Sequence, residues 1–275
     1  MRSKRILLGL SVLTLLLRVD VNAQARPAAG SDFPAAQFAS LDKIAHYLWQ
    51  YDSFAWHTSD KLAAEVNSLG KEVVDRLGEE WFCVRHDGMW HGVYGKFDGA
   101  TDKYHAAVHY VDAGAGITRS ATPFNPELAN RLGRALFTAK QHIPPAFNNA
   151  RMRFNSYVRE REDHDIDVWF VPAWQSNGWL LYGSEFQYTL DAEGRTVKDS
   201  VVRLGNIMGM RPDSTESVML RHDDAPGIPT VAEILFMRLY SKYFAHVRVR
   251  TRDWVSEFLS MGTQRAWVHA LRSGG

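Results

Sequence analysis

The hydrophobic positions in the first third of the chain recur at helical spacing. Five apolar residues three or four positions apart follow Pro34, and they are Phe38, Leu41, Ala45, Leu48 and Tyr51. A second stripe of this kind runs from Ser59 to Leu77 and ends before Gly78. Apolar residues at this spacing form one face of an amphipathic helix, and glycine commonly ends a helix. The pattern therefore predicts two helices, which form a helical lobe over about 34–78.

From Trp81 onward the hydrophobic period changes to two, which is typical of half-buried strands. The predicted strands cover residues 81–86, 89–97, 103–111, 152–159, 167–171, 180–190, 195–204, 217–222, 246–250 and 254–259. Asp-Gly pairs separate the first three strands, as in an antiparallel meander. Helices are predicted after Asn125-Pro126-Glu127, a cap followed by a first-turn proline, and over 231–243.

These elements together predict the fold class. Antiparallel sheets, an N-terminal helical segment and a C-terminal strand–helix–strand unit make an α+β protein. The chain contains no recognisable internal repeat or interdomain linker, so we expect one domain over residues 26–275.

The first 25 residues have the pattern of a secretory signal peptide. Met1–Arg5 holds three basic residues, and Ile6–Leu17 is an uncharged run too short to cross a hydrocarbon core of about 30 Å. Ala23 and Ala25 fit the small-residue pattern that a signal peptidase accepts. We therefore predict cleavage before Arg26 and a periplasmic or secreted protein, with an uncleaved anchor as the alternative. No later stretch approaches eighteen apolar residues, so no transmembrane segment is expected in the mature chain.

Charge and cysteine content narrow the class of protein further. Removal of residues 1–25 deletes four basic residues and one acidic residue, so the formal charge changes from +1 to −2. No basic cluster is left to neutralise phosphates, and we expect no nucleic-acid partner. Cys83 is the only cysteine and lies in the apolar run Trp81-Phe82-Cys83-Val84. It cannot form an intramolecular disulfide, and we interpret it as a buried structural residue rather than a nucleophile.

The segment from His222 to Glu233 carries the most specific motif of the chain. It resembles the zinc motif of the JAMM (JAB/MPN) metallopeptidases, H-x-H-x7-S-x2-D, with His222 at the second histidine, Thr230 at the serine and Glu233 at the acid. The first histidine is replaced by Leu220, which cannot bind zinc. The resemblance implies a degenerate zinc site at His222 and Glu233, in which Asp224 would take the place of the missing ligand.

The same residues have a simpler interpretation, which we favour. Thr230-x-x-Glu233 before an apolar run is a capping box, in which the threonine hydroxyl and the glutamate carboxylate each satisfy a backbone amide of the first helical turn. On this interpretation Thr230→Ala is the most destabilising substitution, Glu233→Gln costs less, and His222→Ala is nearly neutral unless the side chain is buried.

Three other groups of residues suggest chemistry less strongly. His105 and His109 share a strand face but lie about 13 Å apart, too far for one metal ion. The charged run of residues 159–167 lacks the glycine of a calcium loop and is expected to be an exposed turn. Tryptophans cluster in two stretches, and packing in the core is their commoner role, although an exposed tryptophan can stack on a sugar. They are Trp81, Trp90, Trp169, Trp174 and Trp179.

A wider resemblance concerns export and architecture. Residues 87–97, 170–173, 182–195 and 222–233 resemble segments of a group of exported proteins of Gram-negative bacteria with no assigned activity. The resemblance implies a shared architecture and export route. We therefore expect a non-catalytic periplasmic protein that needs no cofactor and binds a cell-envelope component or a protein partner through the meander face or its tryptophans. The alternative is a metal-dependent hydrolase or peptidase that uses zinc at His222, Asp224 and Glu233.

Overall fold

The described part of the chain contains more strand than helix. The computed structural model describes residues 32–114, 116–149, 152–222, 227–261 and 264–272. The helices in these ranges are α1 (Ala35–Glu65), α2 (Lys71–Val74), α3 (Pro126–Gln141), α4 (Pro145–Asn149) and α5 (Val231–Tyr240). The predicted signal peptide, residues 1–25, lies outside the described residues.

Twelve strands form three four-stranded sheets in the described part of the chain. The first sheet has the order β1-β2-β3-β4, with β1 (Phe82–His86), β2 (Met89–Asp98), β3 (Lys103–Asp112) and β4 (Ile117–Arg119). The second has the order β5-β6-β7-β8, with β5 (Phe154–Glu160), β6 (Ile166–Pro172), β7 (Leu180–Leu190) and β8 (Val197–Met210). The third has the order β12-β11-β10-β9, with β9 (Asp213–Arg221), β10 (Phe244–Arg250), β11 (Trp254–Met261) and β12 (Gln264–Leu271).

The strand pairs are antiparallel except for β9 and β10, which are parallel and are connected through α5. A parallel pair needs a crossover of this kind because its strands run in the same direction. The predicted α+β class with a C-terminal strand–helix–strand unit is therefore confirmed.

The prediction of a separate helix over Ser59–Leu77 is wrong. Ser59 lies within α1, which runs unbroken for 31 residues, and only Lys71–Val74 is helical after a 3-10 turn at Val66–Ser68. The chain has no glycine or proline between Pro34 and Glu65, and the buried stripe of α1 continues through Phe54, Ala55 and Thr58. The helix therefore has no reason to end where the two sequence stripes were divided.

Four strands differ clearly from the predicted pattern. β4 and β12 were not predicted, and β12 is defined by eight consecutive residue pairs with β11 rather than by alternation of its side chains. β8 extends six residues beyond Leu204 to Met210, and β9 begins at Asp213 instead of Ser217. Backbone pairing with a neighbouring strand decides these ends, and a local hydrophobic pattern does not contain that information.

The largest apolar core lies between α1, α3, α5 and the first two sheets. Leu48, Leu132, Val168 and Ile234, from four different elements, are each fully buried in it. A second core, which includes Phe236, fills the space between α5 and the third sheet. Because α5 packs into both cores, its N-terminal end is held between β7 and the end of β9.

Residues Asp32–Gly275 group into one compact unit by their contacts. Its described helices include none with the length and apolar character required to span a membrane.

Candidate functional site

A bulge in β7 brings two polar side chains to the same face of the strand. The pairing of β7 with β8 shifts register between Tyr182 and Ser184, and Gly183 between them has a φ of +117° that L side chains rarely adopt. On the opposite strand, a Cβ atom at Gly205 would lie 2.5 Å from the Gly183 carbonyl oxygen. A bulge interrupts the alternation of side chains. Tyr182 and Glu185, three positions apart, consequently both contact the N-terminal turn of α5.

The N-terminal turn of α5 contains the predicted capping box. The Glu233 amide donates to Thr230 Oγ1 at 3.2 Å, and the Thr230 amide donates to Glu233 Oε2 at 2.7 Å. These two bonds satisfy amides that have no partner within the helix. The favoured interpretation of Thr230 and Glu233 is therefore confirmed.

Glu233 has a second role that the capping box does not explain. Its carboxylate also accepts a hydrogen bond from the Tyr182 hydroxyl at 2.5 Å and one from His222 Nδ1 at 3.1 Å. Glu233 is only 2% exposed, and the His222 side chain is 12% exposed. His222 is therefore a nearly buried partner of Glu233, which is the case that the capping interpretation left open.

Arg203 of β8 links His222 to a second buried carboxylate. Its Nε lies 2.7 Å from Glu185 Oε1, and its Nη1 lies 3.0 Å from His222 Nε2. A guanidinium N–H can only donate, so in the neutral ring His222 Nε2 accepts this bond and the ring proton lies on Nδ1, facing Glu233. Glu185 also accepts a hydrogen bond from the Thr230 hydroxyl at 3.2 Å. We call this set the Glu233 cluster, and its members are Tyr182, Glu185, Arg203, His222, Thr230 and Glu233.

Burial and charge shift the proton affinities of the cluster in different directions. Burial raises the pKa of Glu185 to about 7, although the charge of Arg203 opposes this shift. Burial also disfavours ionisation of Glu233, but the hydrogen bond and charge of His222 outweigh it and lower the Glu233 pKa. For His222, burial lowers the pKa, but the hydrogen bond and charge of Glu233 outweigh it and raise the value above 6.5. Burial and the charge of Glu233 raise the pKa of Tyr182.

The described residues do not fit the zinc site implied by the metallopeptidase resemblance. Both Glu233 oxygens and both His222 nitrogens already have hydrogen-bond partners, and a guanidinium cation lies where a metal ion would approach Nε2. Leu220, at the position of the first histidine, is fully buried in the second apolar core. Asp224 lies outside the described residues. Over the ranges that the structure covers, no group of three or more His, Cys, Asp or Glu side chains is placed to hold a metal ion.

Sequence reasoning found two of the five ionisable members of the cluster. His222 and Glu233 were predicted and do lie together, whereas Tyr182, Glu185 and Arg203 were missed. The available signal was weak: Glu185 and Arg203 are charged residues inside strands of otherwise alternating pattern. Their meeting depends on the β7 bulge and on the pairing of Glu185 with Arg203 across the strands.

The other candidate residues mostly have structural roles. His105 and His109 lie on β3 as predicted, and His109 contacts His91 rather than His105. The charged run forms the turn between β5 and β6, but Asp167 at its end is buried and paired with Arg159 at 2.6 Å.

The tryptophans of the predicted clusters are in contact with other protein groups, and Trp81 and Trp90 stack on Tyr94 and Phe54. Trp169 is buried, Trp174 packs edge-on against Tyr240 and Tyr243, and Trp179 has Gly209 against its ring and the Arg211 guanidinium 5.0 Å from its centroid.

An apolar strip lies on the face of β8 opposite to Arg203. Val202, Leu204 and Ile207 are 42%, 60% and 45% exposed, and we call them the β8 strip. Val202 and Leu204 pair across the ladder with the buried Phe186 and Ser184 of β7. The strip therefore continues the apolar face of the second sheet beyond the elements that cover it.

A shallow groove adjoins the β8 strip. It has a volume of about 590 Å³, and its apolar wall comprises Met152, Trp179, Leu181, Ile207 and Gly209. Gln175 closes one end, where its amide is bonded to the backbone of Arg153 and Ala173. β8 has only β7 as a hydrogen-bonded neighbour among the described strands, so groove and strip lie beside an open sheet edge.

No protein-family model, curated protein or solved structure matches this chain.

Proposed function

We propose that this chain is an exported, non-catalytic binding protein that docks an extended apolar segment of a protein partner along β8. The observation that carries the proposal is the β8 strip beside an open sheet edge. An edge strand presents unpaired amide and carbonyl groups that a further strand can use. β8 is 14 residues long, against a typical strand of about 5–6 residues, so a partner strand has ample backbone to pair with.

The side chains of β8 favour a polypeptide over a glycan. Val202 and Leu204 are two positions apart on one face, which matches the spacing of side chains in an added strand. The groove beyond them has an apolar wall and can receive a further side chain. Trp179, the aromatic residue of the groove, lies against Gly209 and has the Arg211 guanidinium 5.0 Å from its ring centroid, which leaves less of the ring for a sugar.

The Glu233 cluster supports the same proposal as a brace for β8. Arg203 is the neighbour of both Val202 and Leu204 in the strand, and it is bound on the opposite face to Glu185 and His222. The cluster thereby holds β8 in place without a contribution from the partner. The metal-dependent hydrolase remains the alternative, and the occupied donors of His222 and Glu233 do not fit it.

The test is binding of a labelled ten-residue peptide of alternating valine and threonine, followed by fluorescence anisotropy. We expect wild-type binding and at least about tenfold weaker binding by Leu204→Asp, since burying a leucine side chain contributes about 1.5–3 kcal/mol and tenfold corresponds to about 1.4 kcal/mol. The matched control is Val74→Asp on α2, which is 37% exposed, introduces the same charge and lies on no sheet edge. It should bind like the wild type.

Hydrogen exchange locates the contact in the same experiment. Bound peptide should slow exchange of alternate β8 amides, because those amides become paired. Absence of binding, or equal loss in Leu204→Asp and Val74→Asp, would contradict the proposal. So would a wild-type homodimer in sedimentation that Leu204→Asp dissociates, because the edge would then be covered by a second copy of the chain.

A further inference from the structure

Two histidines of the first sheet lie with their ring nitrogens facing each other. His91 on β2 pairs with Val111, and His109 on β3 pairs with Val93, so the two are diagonal neighbours across the ladder. His91 Nδ1 and His109 Nε2 are 3.0 Å apart. His91 is 7% exposed, whereas His109 is half-buried and accessible from solvent.

The outer nitrogen of each ring faces a backbone carbonyl. His91 Nε2 donates to the His86 carbonyl at 3.2 Å, and His109 Nδ1 donates to the Thr122 carbonyl at 2.9 Å. A carbonyl can only accept, so both outer nitrogens carry a proton. When both rings are neutral, His91 Nδ1 and His109 Nε2 therefore carry no proton. Each presents a lone pair, and the two lone pairs are directed toward the space between the rings.

This arrangement has the characteristics of metal-ligating histidines. Such residues usually donate their other ring N–H to a carbonyl or carboxylate, which fixes the tautomer and directs the lone pair toward the metal. Phe124 lies against both rings, with centroid distances of 5.1 and 5.5 Å, and closes one side of the pair. His109 is half-buried, so one side of the pair is accessible from solvent.

The nitrogen separation selects the kind of ion. With imidazole bonds of about 2.0–2.1 Å, the 3.0 Å separation corresponds to an N–metal–N angle of roughly 95°. That angle suits adjacent positions of a tetragonal ion better than the tetrahedral geometry of zinc, and Cu²⁺ binds nitrogen ligands most strongly among the first-row divalent ions. We propose that His91 and His109 form a two-histidine site for a divalent transition-metal ion, with Cu²⁺ preferred.

The proposed site is separate from the β8 edge and from the Glu233 cluster. It lies on the first sheet and shares no residue with either. Failure of the proposed peptide binding at β8 would therefore leave the proposed metal site unaffected. The competing occupant is a single proton shared between the rings, which would give a cationic pair. Metal and proton compete for the same lone pairs, so metal affinity should fall as the pH is lowered.

The test is titration of the full-length mature protein with Cu²⁺, Ni²⁺ and Zn²⁺ in separate experiments, with glycine present to suppress weak surface binding. We expect one Cu²⁺ site whose electron paramagnetic resonance spectrum shows coupling to two equatorial nitrogens. His109→Gln should weaken Cu²⁺ binding more than tenfold and leave at most one coupled nitrogen. The matched control is His105→Gln on the same strand, which should bind Cu²⁺ within twofold of the wild type.

Melting curves without metal establish that each variant is folded. We substitute His109 rather than His91 because the His91 ring is more buried, and its replacement would disturb the fold more. Equal Cu²⁺ affinity of the wild type and His109→Gln would overturn the proposal. Nitrogen-15 spectra give a second refuting outcome. The proposal would be overturned if saturating Cu²⁺, Ni²⁺ and Zn²⁺ each left the signals of both histidines unchanged and the spectra showed only a proton shared between the two rings.

Discussion

Replacement of Glu233 by alanine tests whether this residue is more than a helix cap. Its carboxylate is nearly fully buried and accepts hydrogen bonds from the Tyr182 hydroxyl, the Thr230 amide and His222 Nδ1. In Glu233→Ala all three donors lose their acceptor, and protonated His222 loses its counter-charge. Removing one partner of a buried ion pair costs about 3–5 kcal/mol, and we expect a loss of this size in the free energy of unfolding.

The related substitutions rank by what each one leaves unpaired. Glu233→Gln keeps an oxygen for the cap but loses the charge, and we expect a cost of about 1.5–3 kcal/mol, the value of a charge-assisted hydrogen bond. Thr230→Ala should cost about 0.5–2 kcal/mol, as for other N-caps. His222→Ala should cost about 1–3 kcal/mol because it leaves a buried carboxylate oxygen short of a donor. The capping box alone made Thr230→Ala the most destabilising and His222→Ala nearly neutral unless its side chain is buried. His222 is nearly buried, so this order is revised.

The assay is urea unfolding of the four variants at neutral pH, with Thr230→Ser as a control that keeps the capping hydroxyl. The pH dependence supplies a second readout. Because the folded-state pKa of Glu233 lies below its ordinary value of 4.5, its contribution is fully present above that pH and is lost as the pH falls through the folded value. Wild type and Glu233→Gln should therefore converge in acid. A larger loss in Thr230→Ala than in Glu233→Ala would refute the reasoning.

Four further predictions concern other parts of the chain. Burial raises the pKa of Glu185 to about 7, so between about pH 4.5 and pH 7 the folded protein holds a proton that the unfolded chain releases. The stability of the wild type relative to Glu185→Gln should therefore fall as the pH rises across this range. Urea unfolding at several pH values tests this prediction, and a constant difference would contradict it. Gly183→Ala should cost about 1–3 kcal/mol in the same assay, because alanine at a φ of +117° is strained. Cys83 is fully buried and burial raises its pKa, so Ellman's reagent should modify it slowly in the native protein and rapidly in denaturant; fast native labelling would exclude a structural role. Mass spectrometry of the periplasmic protein should find Arg26 at the N-terminus after cleavage behind Ala25, and a retained Met1 would disprove export by this route.

Local patterns predicted the elements whose causes are local. The cap at Asn125 with its first-turn proline begins α3, and the Asp-Gly turn at residues 87–88 joins β1 to β2 with positive φ at both positions. These features depend on residues within one turn of each other, so the sequence contains their full physical cause. The undivided α1 was missed because two stripes of apolar residues look the same whether or not a helix is continuous between them.

In the candidate site, too, some contacts have local causes and others depend on the tertiary structure. The sequence by itself determined the helix start at Thr230 and the reach of Glu233 back to it, because a capping box needs only four consecutive residues. Only the tertiary structure decided that Glu233 also binds Tyr182 and His222, and that His91 faces His109. Those contacts depend on a bulge and on cross-strand register, which arise from pairing between segments far apart in the chain.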